Sequence, residues 1–148
     1  FVVTRKKTKK NETVIQIQFK AWKFGSFVPE STSSFIELID LVLSLHHNQN
    51  DKNNNGNKNS YDIKTSPILV HCFNGGDRSS VLVAFVSLVR QILMEKKVDV
   101  FQTVRNIRFQ RSGMLQHVVQ FDFLHRCLID YMNHHEICME SNGGDVQL

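Results

Sequence analysis

The chain has 148 residues, 41% of them hydrophobic and 22% charged, with two Pro and seven Gly. A chain of that length suits one domain able to bury about 70% of its unfolded surface, and the composition excludes a collagen-like, mucin-like or fully disordered protein. The net charge of +4 is local: Arg5, Lys6, Lys7, Lys9 and Lys10 fall within six residues, and without them 13 positive groups face 14 negative ones. The run therefore reads as a solvated turn, and no nucleic-acid partner is expected. The three cysteines, Cys72, Cys127 and Cys138, are odd in number and unpaired in spacing, which fits a reducing, cytoplasmic compartment better than a secreted disulfide scaffold. The longest apolar stretch, Val81 to Val89, contains a serine and is far short of the ~20 residues a membrane span needs. The chain opens on Phe1 rather than Met and is expected to be a piece of a longer product.

Taken in chain order, apolar Phe1 to Val3 and the basic run from Thr4 to Glu12 precede an alternating segment, Val14 to Trp22. There Ile15, Ile17, Phe19 and Ala21 share one face and Gln16, Gln18 and Lys20 the other, so a hairpin is predicted. Lys23 to Pro29 is a loop. Ser34 and Glu37 have capping-box spacing, and Phe35, Leu38, Ile39, Val42 and Leu45 form the stripe of an amphipathic helix. The pattern ends at His46. Seven Asn lie between Asn48 and Asn59, so residues 46–66 read as a low-complexity insert within one domain spanning 1–148. Pro67 to His71 is predicted as a short buried strand, Cys72 to Asp77 as a turn, and Arg78 to Met94 as a helix apolar nearly all round. Asp99 to Gln102 offers a capping box for a helix ending near Phe109, Ser112-Gly113 breaks it, and Met114 to Met132 is the last helix. Residues 133–148 are expected to be a flexible tail. The fold class is α/β or α+β, helices packed on a mixed, twisted sheet.

The chemistry concentrates in His71-Cys72-Phe73-Asn74-Gly75-Gly76-Asp77-Arg78-Ser79-Ser80. A turn between a buried strand and a helix N-terminus points several backbone N–H groups at one spot, where the helix dipole adds positive potential. Phe73, Asn74, Gly75, Gly76 and Asp77 supply this cradle. A cysteine at its lip has its thiolate stabilised. Arg78 adds a planar fork that can take two phosphate oxygens, so nucleophile and oxyanion clamp share one loop. Ser79 can hydrogen-bond the sulfur and assist its departure. The plain alternatives are a small core cysteine for Cys72, a backbone-bonded core histidine for His71 and an i, i+4 helix surface pair for Gln116 and Gln120.

At these residues the chain resembles the protein tyrosine phosphatases, whose signature loop reads His-Cys, five residues, Arg, then Ser or Thr. Trp22 followed by Val28-Pro29-Glu30 is similar to the family's acid loop, and Met114 to Phe121 to its glutamine loop. Phe35 to Leu45, Val98 to Phe101 and Arg108 to Arg111 are similar to helical segments between them. The resemblance covers about Thr4 to Met132, the C-terminal half of such a domain, and so implies a partial cysteine-phosphatase fold. It implies that Cys72 forms a cysteinyl-phosphate, that Arg78 binds phosphoryl oxygens, that Gln116 and Gln120 place the hydrolytic water, and that His71 supports the thiolate. It also implies a phosphotyrosine protein or phosphopeptide as partner and neither cofactor nor metal.

Two departures stand out. Where the family's acid loop carries its proton-donating Asp, this chain has Phe24 or Gly25, depending on the direction of alignment. No Asp, Glu or His lies between Trp22 and Pro29, and Glu30 matches a different position. Asp77 stands where the family usually has Gly. A carboxylate ~5 Å from one phosphate charge, at an effective dielectric of ~20, costs about 3 kcal/mol unless it turns to solvent. The pattern is most similar to the membrane-distal second domain of a receptor-type phosphatase, which implies a neighbouring phosphatase domain and the cytoplasmic part of a single-pass receptor. Two classes of function follow: an impaired phosphatase, or a non-catalytic binding module. A rhodanese-like sulfurtransferase is opposed by the Trp22 and Gln116 segments. Metal binding by His134-His135-Glu136-Ile137-Cys138 is opposed by the polar, tail-like setting.

Overall fold

Alternation in the first 22 residues produces a hairpin. In the computed structural model, which describes residues 2–7, 13–51 and 67–137, β1 (Val2–Lys7) pairs antiparallel with β2 (Thr13–Gln18), Val3 opposite Ile17 and Lys7 opposite Thr13. Three of the five clustered cations thus lie in a strand rather than a turn. Ile15, Ile17, Phe19 and Ala21 are half-buried while Gln16, Gln18 and Lys20 are exposed, so the two-residue period outlasts the strand itself. The chain divides into two compact units, Phe1–Leu69 and Val70–Leu148.

In the first unit the core forms around Phe35. Its ring meets Trp22 edge-on at 6.1 Å and Phe19 at 6.2 Å. Phe35, Ile36, Leu38 and Ile39 are buried on α1 (Thr32–Asp51), each such side chain contributing about 1.5–3 kcal/mol by its transfer from water. The helix begins two residues before Ser34, so the predicted capping box does not form. The Ser34 hydroxyl instead donates to the Ser31 carbonyl at 3.2 Å. At the other end α1 runs on through His46 to Asp51, past the point where the apolar stripe stops. Residues 52–66, the rest of the predicted insert, lie outside the described residues.

Pro67 to His71 does not form the predicted buried strand. Ile68 is 47% and Leu69 89% exposed, and His71 is exposed as well. A strand exists only through a ladder partner, and among the described residues the one sheet is the β1–β2 hairpin. Among the described residues the α/β class is carried by this small antiparallel sheet and four helices, part of the fold expected.

The second unit packs α2 (Arg78–Glu95), α3 (Val100–Gln110) and α4 (Val118–His134) on one another. The α2 helix is buried along one face, through Val81, Ala84, Phe85, Leu88, Val89 and Ile92. Val83, Leu93 and Met94 are exposed, so it is not the all-round core helix predicted. The Phe85 ring meets Tyr131 of α4 edge-on at 5.9 Å, and the Gln91 amide donates to Thr103 of α3 at 3.0 Å. Asp99 caps α3 as predicted, accepting the Gln102 amide at 2.8 Å, while the Gln102 side chain turns to Asn106 rather than closing the box. The last helix begins at Val118, four residues later than predicted, because Gly113 and Leu115 both adopt left-handed backbone, at φ +83° and +53°. It ends at His134, and residues 138–148 lie outside the described residues.

Candidate active site

The loop from Cys72 to Asp77 turns into the first residue of α2, Arg78. Its amides turn inward onto acceptors within the loop. Gly75 N–H donates to Cys72 Sγ at 3.1 Å. Gly76 N–H and Asp77 N–H both donate to Asn74 Oδ1, at 2.9 and 3.1 Å. Gly75 sits at φ +72°, where an L side chain is strained. Phe73 and Asn74 are exposed, Gly76 is buried, and Asp77 and Arg78 are half-buried.

The sulfur at the lip of this loop is half-buried. Burial raises the Cys72 thiol; the Ser79 hydroxyl and amide and the amides of Gly75 and Asn74 lower it by more, leaving its pKa at about 7 against an ordinary 9.0. Ser79 Oγ is itself buried and makes no hydrogen bond of normal geometry among the described residues, which leaves its polarity for the sulfur. Cys127, fully buried on α4, goes the other way: burial, with Asp130 behind it, holds its thiol protonated. The two cysteines thus differ in kind: Cys72 has an accessible, lowered thiol and Cys127 a buried, raised one.

Two arginines fix the loops around the sulfur. Arg111 donates to the carbonyls of Asn74 at 3.0 Å and Gly75 at 3.4 Å, holding the cradle from behind. Arg108 donates to the carbonyl of Met114 at 3.2 Å and to that of Leu115. Ser80, wholly buried, joins the two loops: its hydroxyl lies 2.5 Å from the Gly76 carbonyl and 2.6 Å from that of Asp77, and it accepts the Leu115 amide at 3.2 Å.

A family profile described as protein-tyrosine phosphatase matches residues 1–130. The chain belongs to the protein-tyrosine phosphatase family. Tyrosine-protein phosphatase 69D of Drosophila melanogaster is 38% identical over 138 residues, 93% of this chain and 9% of that protein. Receptor-type tyrosine-protein phosphatase V of Rattus norvegicus is 37% identical over 121 residues, 82% of this chain and 6% of that protein. A receptor-type tyrosine-protein phosphatase of Caenorhabditis elegans is 32% identical over 123 residues, 83% of this chain and 8% of that protein. The chain thus spans less than a tenth of the length of these relatives. No helix among the described residues is long and apolar enough to cross a membrane.

Within this phosphatase unit, Cys72, the cradle, Arg78 and Ser79 fall on one continuous loop and helix start. Gln116 is exposed in the loop before α4, its Nε2 3.4 Å from where a side chain on Gly113 would begin. Gln120 is fully buried, and its Oε1 accepts the His117 amide at 3.3 Å. The two glutamines are therefore not a helix surface pair; one faces solvent and the other braces the helix start. His71 is exposed rather than a core histidine. In the acid loop, Trp22 Nε1 donates to the Ser26 carbonyl at 3.0 Å, Phe24 is fully exposed, and Gly25 turns the chain at φ +80°. Glu30 is ion-paired with Lys23 at 2.5 Å, with both side chains exposed. Residues whose structural part the sequence reading missed are Ser80, Arg108 and Arg111. Arg108 and Arg111 bracket a segment singled out for its resemblance, but backbone-carbonyl partners leave no trace in residue spacing.

Proposed function

We propose that this chain carries the catalytic half of a phosphotyrosine phosphatase domain that works through a cysteinyl-phosphate and is slowed by the lack of a proton donor. The observation that carries the reading is Cys72, lowered to about 7 at the lip of converging amides. The thiolate attacks phosphorus, the bond to the tyrosine oxygen breaks, and the departing phenolate takes its proton from solvent. Arg78, at the positive end of α2, holds the phosphoryl oxygens. Gln116, exposed beside the loop, orients the water that then releases phosphate and restores the thiolate. Ser79 stabilises that thiolate as it leaves. Gln120 acts through the backbone, keeping the glutamine loop in place.

The substrate is a phosphotyrosine protein, met in the cytoplasm, and the parent chain carries a neighbouring phosphatase domain. A second reading, a phosphopeptide-binding module without turnover, is favoured by the acid loop: Phe24 and Gly25 cannot donate a proton and Glu30 is engaged with Lys23. Cys72→Ser in the complete domain distinguishes them. It should abolish hydrolysis of an aryl phosphate while phosphopeptide binding persists. Turnover unchanged in that variant removes the nucleophile. A wild-type domain that binds phosphopeptide and turns nothing over decides for the binding module.

A further inference from the structure

The cradle that should receive a phosphoryl group is filled by one of its own side chains. Asn74 Oδ1 takes the N–H groups of Gly76 and Asp77 at 2.9 and 3.1 Å, and the Cys72 thiol lies 3.7 Å from the same oxygen. That oxygen thus stands among donors that a phosphoryl oxygen would use. It is also held there. Asn74 Nδ2 donates to Asp77 Oδ2 at 2.7 Å, and Arg111 fixes the Asn74 main chain through its carbonyl at 3.0 Å. The carboxamide is bonded at both ends within the loop, its oxygen to two amides and its nitrogen to a carboxylate.

We propose that Asn74 and Asp77 form an internal latch that occupies the phosphate cradle, so that oxyanion binding requires the Asn74 side chain to rotate out. The inference rests on the reading of this loop as a phosphate site. A neutral amide oxygen is a weaker acceptor than a charged phosphoryl oxygen, so a dianion can displace it, at the expense of the bonds it already makes. Asp77 has two effects. It anchors the latch through Asn74 Nδ2, and its charge opposes the incoming anion. The latch makes the site selective for ligands whose remaining contacts, such as an aromatic ring or flanking peptide, supply the difference. Asn74 is a positioning residue here; it does not touch reacting atoms once the ligand is seated.

The test uses tungstate, a phosphate-shaped oxyanion, in the complete domain, and measures its binding by calorimetry and by protection of Cys72 from iodoacetamide. The wild-type domain serves as the reference, because it keeps both halves of the latch and leaves the Asp77 charge the same on each side of the comparison. Asn74→Ala should bind tungstate about tenfold tighter than wild type, the value of one or two net hydrogen bonds released to the ligand. A merely structural role for Asn74 predicts the opposite sign, since a collapsed loop binds less. Equal or weaker binding in Asn74→Ala overturns the latch while leaving the phosphate site intact. Failure of every folded variant to bind tungstate, with Cys72 unprotected throughout, overturns the phosphate-site reading and the latch with it.

Discussion

Ser80 and Leu115 are 35 residues apart in sequence and joined by a hydrogen bond of 3.2 Å, from the Leu115 amide to the Ser80 hydroxyl. The same hydroxyl reaches back to the carbonyls of Gly76 and Asp77. One buried oxygen therefore sets the distance between the cysteine loop and the loop that carries Gln116. Ser80→Ala keeps the volume close but leaves the Leu115 amide with the longer 3.4 Å bond to Gly76 as its remaining contact there. The expected cost is about 0.5–1.5 kcal/mol of stability, the net value of a hydrogen bond whose partners keep other contacts. A urea midpoint measured on the complete domain reads it, with turnover falling in parallel because Gln116 loses its register.

Gly76 makes a second, stricter demand at the same junction. A Cβ added there would stand 2.9 Å from the backbone oxygen of Gly113, which cannot swing aside. Gly76→Ala should push the two loops apart, at about 1–3 kcal/mol typical of overpacking. At Gly75 the nearest atom is the far end of Arg111, at 2.7 Å, which can move; the cost there comes instead from the left-handed backbone. Stability of the two variants, with and without Arg111→Ala, checks the causes: the second substitution should relieve neither defect, and relief at Gly75 would mean that contact with Arg111 rather than the backbone sets its cost.

The elements that could be read from sequence are those whose pattern is local. The Ile15–Ile17–Phe19 alternation, the Phe35–Ile39 stripe and the Asp99 cap each satisfy themselves within a few residues, and each is found where it was expected. Pro67 to His71 failed as a strand because a ladder needs a distant partner, which apolar residue type alone cannot supply. The start of α4 was misplaced because left-handed Leu115 carries no residue signature, unlike Gly113. That Cys72, Arg78 and Ser79 share one turn and helix start was legible because Gly75-Gly76 and the apolar run after Arg78 mark a turn into a helix, although the strand expected before it does not form. That Asn74 would fill the cradle was not, since its acceptor role depends on a side-chain rotamer.

Proton linkage at Cys72 follows from its lowered pKa. Between about 7 and the ordinary 9.0 the folded thiol is ionised where the unfolded one is protonated. The unfolded chain then binds more protons, so the contribution of Cys72 to stability grows as pH rises through this window, and is lost as pH falls through about 7. The rate of alkylation by iodoacetamide should rise with an apparent pKa of about 7. Ser79→Ala removes the largest lowering influence and should move that profile upward. An unmoved profile would mean that the loop amides alone hold the thiolate.

The acid loop bears on the rate of leaving-group departure. On the proposed mechanism Cys72 attacks and Arg78 stabilises the phosphoryl group, but no Asp, Glu or His lies between Trp22 and Pro29 to protonate the oxygen that leaves, and Glu30 is paired with Lys23. General acid catalysis is worth typically about 10²–10⁴-fold. Tyrosine, with a phenol pKa of about 10, leaves poorly as an anion, whereas a nitrophenol needs little protonation. In the complete domain a nitrophenyl phosphate should be cleaved slowly, and a phosphotyrosine peptide more slowly by about the missing factor. The profile of kcat against pH should also lack the fall at high pH that deprotonation of an acid causes. Comparable rates on both substrates, abolished by Glu30→Gln and raised by Lys23→Ala, would instead assign the proton to Glu30, since freeing it from its ion pair is what the role would require.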